Sequence, residues 1–145
     1  MSHVTACKTK IADLDVFQSA VTKLGLTLER GQGLTVTDYD KKSVAVEARI
    51  KLGQYDLGLR RNAEGALEFV SDFWGIKNYC DIPKIKEAIR RTGSAETGLA
   101  NLFGKAYDIA VAEKTIKEQY ADCEAVYEYD STGEVVRIAL VRRSY

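Results

Sequence analysis

Histidine, proline and tryptophan each occur once in these 145 residues, and cysteine occurs three times. The lone histidine, His3, sits two residues from an N-terminus of the kind that often frays. Ser-His-Asp and Cys-His mechanisms need an imidazole held by packing at hydrogen-bond distance, so the sequence argues against both, and against multi-histidine metal sites. Cys7, Cys80 and Cys123 are odd in number and far apart, and no Cys-x-x-Cys pair points to zinc, an iron–sulfur cluster or a thioredoxin-like site. Buried free thiols in a reducing compartment are expected instead. Charge of one sign is also lacking. Lys+Arg and Asp+Glu both number 21, so no long-range field draws the whole molecule toward nucleic acid or anionic lipid. No segment approaches the ~20 apolar residues of a membrane span, and no charged region followed by an apolar run opens the chain. A soluble intracellular or organellar protein is the expectation.

What is present suffices for a core. A single domain over residues 1–145 is expected, and a domain near this size buries roughly 70% of the surface its unfolded chain exposes. The clearest pattern runs from Val44 to Leu52, where Val44, Val46, Ala48, Ile50 and Leu52 alternate with polar residues, as in a strand with one buried face. Gly53-Gln54 turns into Tyr55–Leu59, and Asn62–Gly65 turns into Ala66–Phe73, which predicts an antiparallel meander from Ser43 to Gly75. Tyr55, Leu57 and Leu59 share one face of it, as do Leu67, Phe69 and Phe73.

Before the meander, Val4–Thr9 reads as a short strand and Asp13 as the cap of a helix with Val16, Phe17, Ala20, Val21 and Leu24 on one stripe, stopped by Gly25. Residues 26–42 read as an irregular or weakly stranded insertion. After Trp74, Asp81 is a candidate cap, with Pro83 in the first turn of a helix carrying Ile82, Ile85 and Ile89. The glycine-punctuated stretch Ser94–Gly104 predicts at most a short helical turn, followed by a longer helix from Lys105 to about Ala121. A hairpin closes the chain: Glu124–Tyr129, a Ser131-Thr132-Gly133 turn, and Val135–Arg143, one side core and the other partly solvated. The expected class is α+β, a mainly antiparallel sheet of about five to six strands with two or three helices on one face.

Few residues offer chemistry. Gly98–Lys105 resembles a Walker loop at first sight, but five residues separate its glycines instead of four, and Ala106 stands where a hydroxyl must reach magnesium. A helix junction is the better reading. Gly31-Gln32-Gly33 has only two glycines of a dinucleotide fingerprint. Asp56 and Asp72, in neighbouring strands, are the candidate pair for a carboxylate-dependent enzyme or a metal, although carboxylates on the wet face of a strand are ordinary. No catalytic, cofactor-binding or metal-ligating residue is assigned.

The candidate partner-binding residues are Arg60, Trp74, Tyr127, Tyr129, Arg137, Arg143 and Tyr145. Arg49, Arg60, Arg137 and Arg143 would form a basic patch if they met on one exposed face, suited to an acidic protein or to single-stranded RNA. A solvated face balanced by Glu47, Glu68 and Glu128 is the plainer alternative. Trp74, with Phe73 and Tyr79, reads either as core at the end of the sheet or as an exposed contact spot, the core being the commoner fate of a lone tryptophan.

Several short motifs together resemble the plastid and cyanobacterial conserved reading-frame family numbered thirty-five in the chloroplast series, a domain of unknown function. They are Met1-Ser2-His3, Lys8-Thr9-Lys10-Ile11 with Asp13-Leu14, Tyr55-Asp56-Leu57-Gly58, Asp72 with Trp74-Gly75, Tyr107, Gly133, Arg137-Ile138 and Arg142-Arg143. The likeness spans essentially the whole chain. It departs from the pattern in a longer 29–42 region, in glycine-rich residues 93–104, and in Tyr145 where a tryptophan is usual. The resemblance implies a protein of the cyanobacterial cytoplasm or plastid stroma, or of phages of those cells, and implies no activity, cofactor or catalytic residue. The functional expectation is a non-catalytic accessory or assembly factor that binds another protein through a sheet edge or a Tyr/Arg face. An RNA-binding accessory protein, or a small enzyme using Asp56 and Asp72, is the alternative.

Overall fold

The computed structural model describes residues 3–143. The chain divides into two compact units, Met1–Tyr107 and Asp108–Tyr145. The first unit is built on a five-stranded antiparallel sheet of β1 (Thr5–Lys8), β2 (Leu28–Arg30), β5 (Ala48–Ile50), β6 (Leu57–Arg61) and β7 (Leu67–Ser71), in the order β1-β7-β6-β5-β2. β3 (Thr35–Thr37) and β4 (Ser43–Ala45) form a separate two-stranded ladder. The helices are α1 (Leu14–Lys23), α2 (Phe73–Tyr79), α3 (Pro83–Thr92) and α4 (Ala95–Gln119), the last running into the second unit. The protein is therefore α+β with an antiparallel sheet, as expected, and its described residues form four helices.

Strand alternation places Leu28, Ala48, Ile50, Leu57, Leu59, Leu67 and Phe69 on one face of the sheet, because cross-strand partners share a side. Phe17 of α1 and Phe103 of α4 meet Phe69 there, with ring centroids 6.0–6.3 Å apart in edge or tilted contacts. This is the main core. The start of α1 is fixed twice over. Asp13 accepts hydrogen bonds from the Asp15 and Val16 backbone N–H groups, and the Tyr107 hydroxyl accepts from the N–H groups of Ala12 and Asp13 at 3.2 and 3.1 Å.

The opposite face holds a second, smaller apolar cluster of Val36, Val46 and Val70, supplied by the β3–β4 ladder lying against the sheet. It explains why the predicted strand Val44–Leu52 is broken. Val46 N–H donates to Leu34 in one ladder, and Glu47 N–H, the next residue, donates to Leu59 in the other. The chain changes sheets between them. Residues 26–42, expected to be irregular, contribute β2 to the main sheet and β3 to this cover.

Gly58 makes the cover possible. A Cβ there would stand 2.6 Å from Val46 Cγ1 and 3.0 Å from both Val36 Cγ1 and the Val70 carbonyl oxygen. Overpacking costs about 1–3 kcal/mol, against about 0.5–1 kcal/mol gained by restricting the unfolded chain. Gly58→Ala is therefore expected to lose about 1–2 kcal/mol in urea unfolding. Unchanged stability would mean that the ladder does not rest on the sheet at this point.

Two further boundaries differ from expectation. α3 starts as predicted at Pro83, but Ile82 is its cap and no side chain caps it, so Asp81 does not play that part. The stretch from Ala95 is continuous α4, where a glycine-broken turn was expected. Gly98 serves packing here: a Cβ would lie 2.8 Å from the Ala88 carbonyl oxygen and 2.9 Å from Ile89 Cα, so α3 and α4 touch backbone to backbone. The helix bears the ~1 kcal/mol cost of the glycine in exchange for that approach.

The second unit consists of the C-terminal half of α4 and a hairpin of β8 (Cys123–Tyr129) and β9 (Val135–Arg142). Its turn is tied by Asp130, whose carboxylate accepts from the Thr132 and Glu134 N–H groups, while Gly133 takes a left-handed φ of 86°.

Candidate partner-binding surfaces

The strand β7 ends where Asp72 begins a helix, and this boundary builds the first surface. Asp72 is 1% exposed and caps α2 through a 2.9 Å hydrogen bond from the Gly75 N–H. Its other carboxylate oxygen accepts from the Tyr39 N–H at 3.0 Å, which fastens the β3–β4 turn to the start of α2. Phe73 and Trp74 are consequently helical, where an extended strand was expected. Phe73 turns inward, and Trp74, 49% exposed, turns outward. The core reading of Trp74 is thus corrected: helix geometry sends successive side chains about 100° apart, so a buried Phe73 leaves its neighbour on the surface.

Trp74 stands between two other exposed rings. Tyr39 meets it at 6.4 Å with an interplanar angle of 86°, and Tyr79 at 5.9 Å and 65°. Beneath them Tyr55 is buried against Gly75, where any Cβ would come within 2.7 Å of its ring. Burial, followed by the charge of Asp72, raises the Tyr55 phenol above its usual pKa.

Asp56 and Asp72, the proposed carboxylate pair, are each occupied structurally. Asp56 accepts from Lys51 Nζ at 3.0 Å and from the Leu52 N–H, and lies 4.0 Å from Arg49; Asp72 is held by the two backbone donors just described. Among the described residues no group of three or more His, Cys, Asp or Glu is placed to hold a metal ion. Burial pushes the Cys80 and Cys7 thiols up, which lowers their thiolate fraction.

Arg60 is opposite Glu68 in the β6–β7 register and pairs with it at 3.3 Å, while Arg49 pairs with Glu29 at 3.0 Å. In the second unit Arg137 pairs with Glu128 at 2.7 Å, and Arg142 with Asp122 at 3.4 Å. The arginines of the predicted basic patch therefore divide between two units, and Arg49, Arg60 and Arg137 are each paired with a glutamate.

The hairpin is the second surface. Tyr127 and Tyr129 stack at 6.5 Å, and Tyr127, with Ile116, Tyr120, Cys123 and Arg143, lines an open groove of about 340 Å³. Tyr145 lies outside the described residues. The expected division into a core side and a solvated side is not found. Leu140, opposite Ala125, is exposed on the Tyr127 side together with Val136. Val126 and Val141 are exposed on the other. No described residue after Ala110 is fully buried.

No family model, curated protein or solved structure matches the chain. The resemblance read from the motifs therefore stands on those motifs alone. Among the described residues no helix is long and apolar enough to cross a membrane.

Proposed function

We propose that the protein is a non-catalytic accessory or assembly factor that binds another protein through the β8–β9 hairpin. One observation carries this reading: from Val111 to Arg143 the chain forms a helix end and two strands with apolar side chains on both faces, yet buries none of those residues fully. A two-stranded ribbon is marginal in water unless a further layer covers it. Contiguous exposed valine, leucine and tyrosine side chains mark an interaction surface, and neither strand is flanked by a third among the described residues. A partner that adds a strand or lays an apolar face on the ribbon would satisfy both needs, with Tyr129 as the exposed anchor. The motif resemblance supports a cyanobacterial or plastid setting. The ion pairs of Arg60 and Arg137 give RNA binding less support, since phosphates would compete with carboxylates already in place.

The test places a photo-crosslinking residue at Tyr129 and, as a control, at Glu64 in the exposed β6–β7 turn, in cells of the native host. A discrete adduct from position 129, absent from position 64 and abolished by Leu140→Asp, is the expected result. Identical adduct patterns from the two positions, or none from position 129, would remove the reading.

A further inference from the structure

We propose that Tyr39, Trp74 and Tyr79 form a receptor for an arginine side chain carried on a basic segment of a partner protein. This surface belongs to the first unit and is argued independently of the hairpin. Trp74 stands in edge contact with both Tyr39 and Tyr79, all three side chains are exposed, and aromatic faces carry the negative end of the ring quadrupole.

The charge beneath the rings decides the ligand. Asp38 is 6% exposed and Asp72 1% exposed. Asp38 accepts from the Lys42 backbone N–H at 2.9 Å, and Asp72 from those of Gly75 and Tyr39. Neither carboxylate forms an ion pair within the described residues. Lys41 and Lys42 share the Asp38 turn without pairing to either, and Lys77 on α2 donates to the Gly93 carbonyl. Two buried carboxyl groups are thus held by backbone donors, with no cationic side chain paired to either among the described residues. Both act on Tyr55, directly under the patch. A cation held on the rings would supply the missing countercharge, and a planar guanidinium stacks on aromatic faces better than a strongly hydrated ammonium. An anionic or purely apolar ligand would leave the carboxylates as they are.

Trp74 is the sole tryptophan, so its emission reports occupancy directly. Titration with an alternating arginine–glycine peptide should give a saturable change, with a lysine–glycine peptide weaker and a glutamate–glycine peptide inert. Tyr39→Ala should weaken binding roughly threefold to thirtyfold. Tyr39→Phe, which keeps the ring, should restore it, and Asp38→Asn should weaken it without removing any ring. Should Tyr39→Ala fail to fold, Asp38→Asn decides alone. No saturable response to the arginine peptide, equal binding of the glutamate peptide, or undiminished affinity in Asp38→Asn would each overturn the proposal, whatever the hairpin crosslinks show.

Discussion

Phe103→Ala is expected to be among the most damaging single substitutions in the protein, lowering its stability by about 3–5 kcal/mol. Phe103 is fully buried on α4, where it meets Phe17 of α1 and Phe69 of β7 at 6.0 Å each. Phe17 in turn touches Tyr107, whose hydroxyl holds the loop before α1. Truncation would lose the transfer free energy of the ring and leave a cavity among side chains anchored to three separate elements, none of which can collapse inward without moving its backbone. A midpoint roughly 10 °C lower or more in thermal melting is the corresponding readout. Phe103→Leu, which keeps most of the volume, should recover a large part of the loss. A melting temperature for Phe103→Ala within a degree or two of the parent would show that this ring cluster is not the centre of the core.

The pattern was legible where its cause is local. Asp13 followed by the Val16, Phe17, Ala20 and Val21 stripe describes α1, and Leu57, Leu59, Leu67 and Phe69 describe the buried face of β6 and β7, because capping and alternation depend on near neighbours. Between Val44 and Leu52 the same logic misled. Parity says which side of a strand a residue faces, but not which sheet the strand has joined. Val44 and Val46 serve the small cluster, and Ala48 and Ile50 the main core. Glycine misled in the opposite sense at Gly98, where a residue read as a helix breaker is the contact point of two helices. The signal for α2 was present: Asp72 three residues before Gly75 is a cap, but the apolar Phe73 and Trp74 prolonged the strand pattern through it.

The surfaces were legible only as single residues. Trp74, Tyr127, Tyr129, Arg137 and Arg143 were named from their types, but Tyr39 joins Trp74 because the carboxylate of Asp72 binds its backbone, a contact between distant segments that no local pattern encodes. Arg60 illustrates the converse. Its pairing with Glu68 follows from the β6–β7 register, so whether it is a free cation can be read only after the sheet is assembled. On the hairpin, apolar residues at both odd and even positions, Val126 beside Tyr127 and Leu140 beside Val141, were the available sign that both faces want cover.

Asp72→Ala is expected to cost about 3 kcal/mol and to disassemble the aromatic surface along with it. Loss of a helix cap is worth about 1 kcal/mol, and a donor left unsatisfied away from water costs about 1–3 kcal/mol. The Gly75 N–H is buried with its residue, so its penalty is the fuller of the two; the Tyr39 N–H, on an exposed turn, regains part of its loss from water. Asp72→Asn keeps a capping oxygen for Gly75 but presents no second acceptor to Tyr39, so about half of the loss is expected. The two variants should also differ in Trp74 emission. In Asp72→Ala both the first turn of α2 and the Tyr39 turn come free, and the spectrum should shift toward that of a fully solvated indole. In Asp72→Asn the helix start remains and the shift should be smaller. Urea unfolding followed by emission and by circular dichroism checks both quantities in one experiment. Parent-like stability of Asp72→Ala would show that Asp72 does not couple the β3–β4 turn to α2, and the placement of Tyr39 against Trp74 would then need another cause.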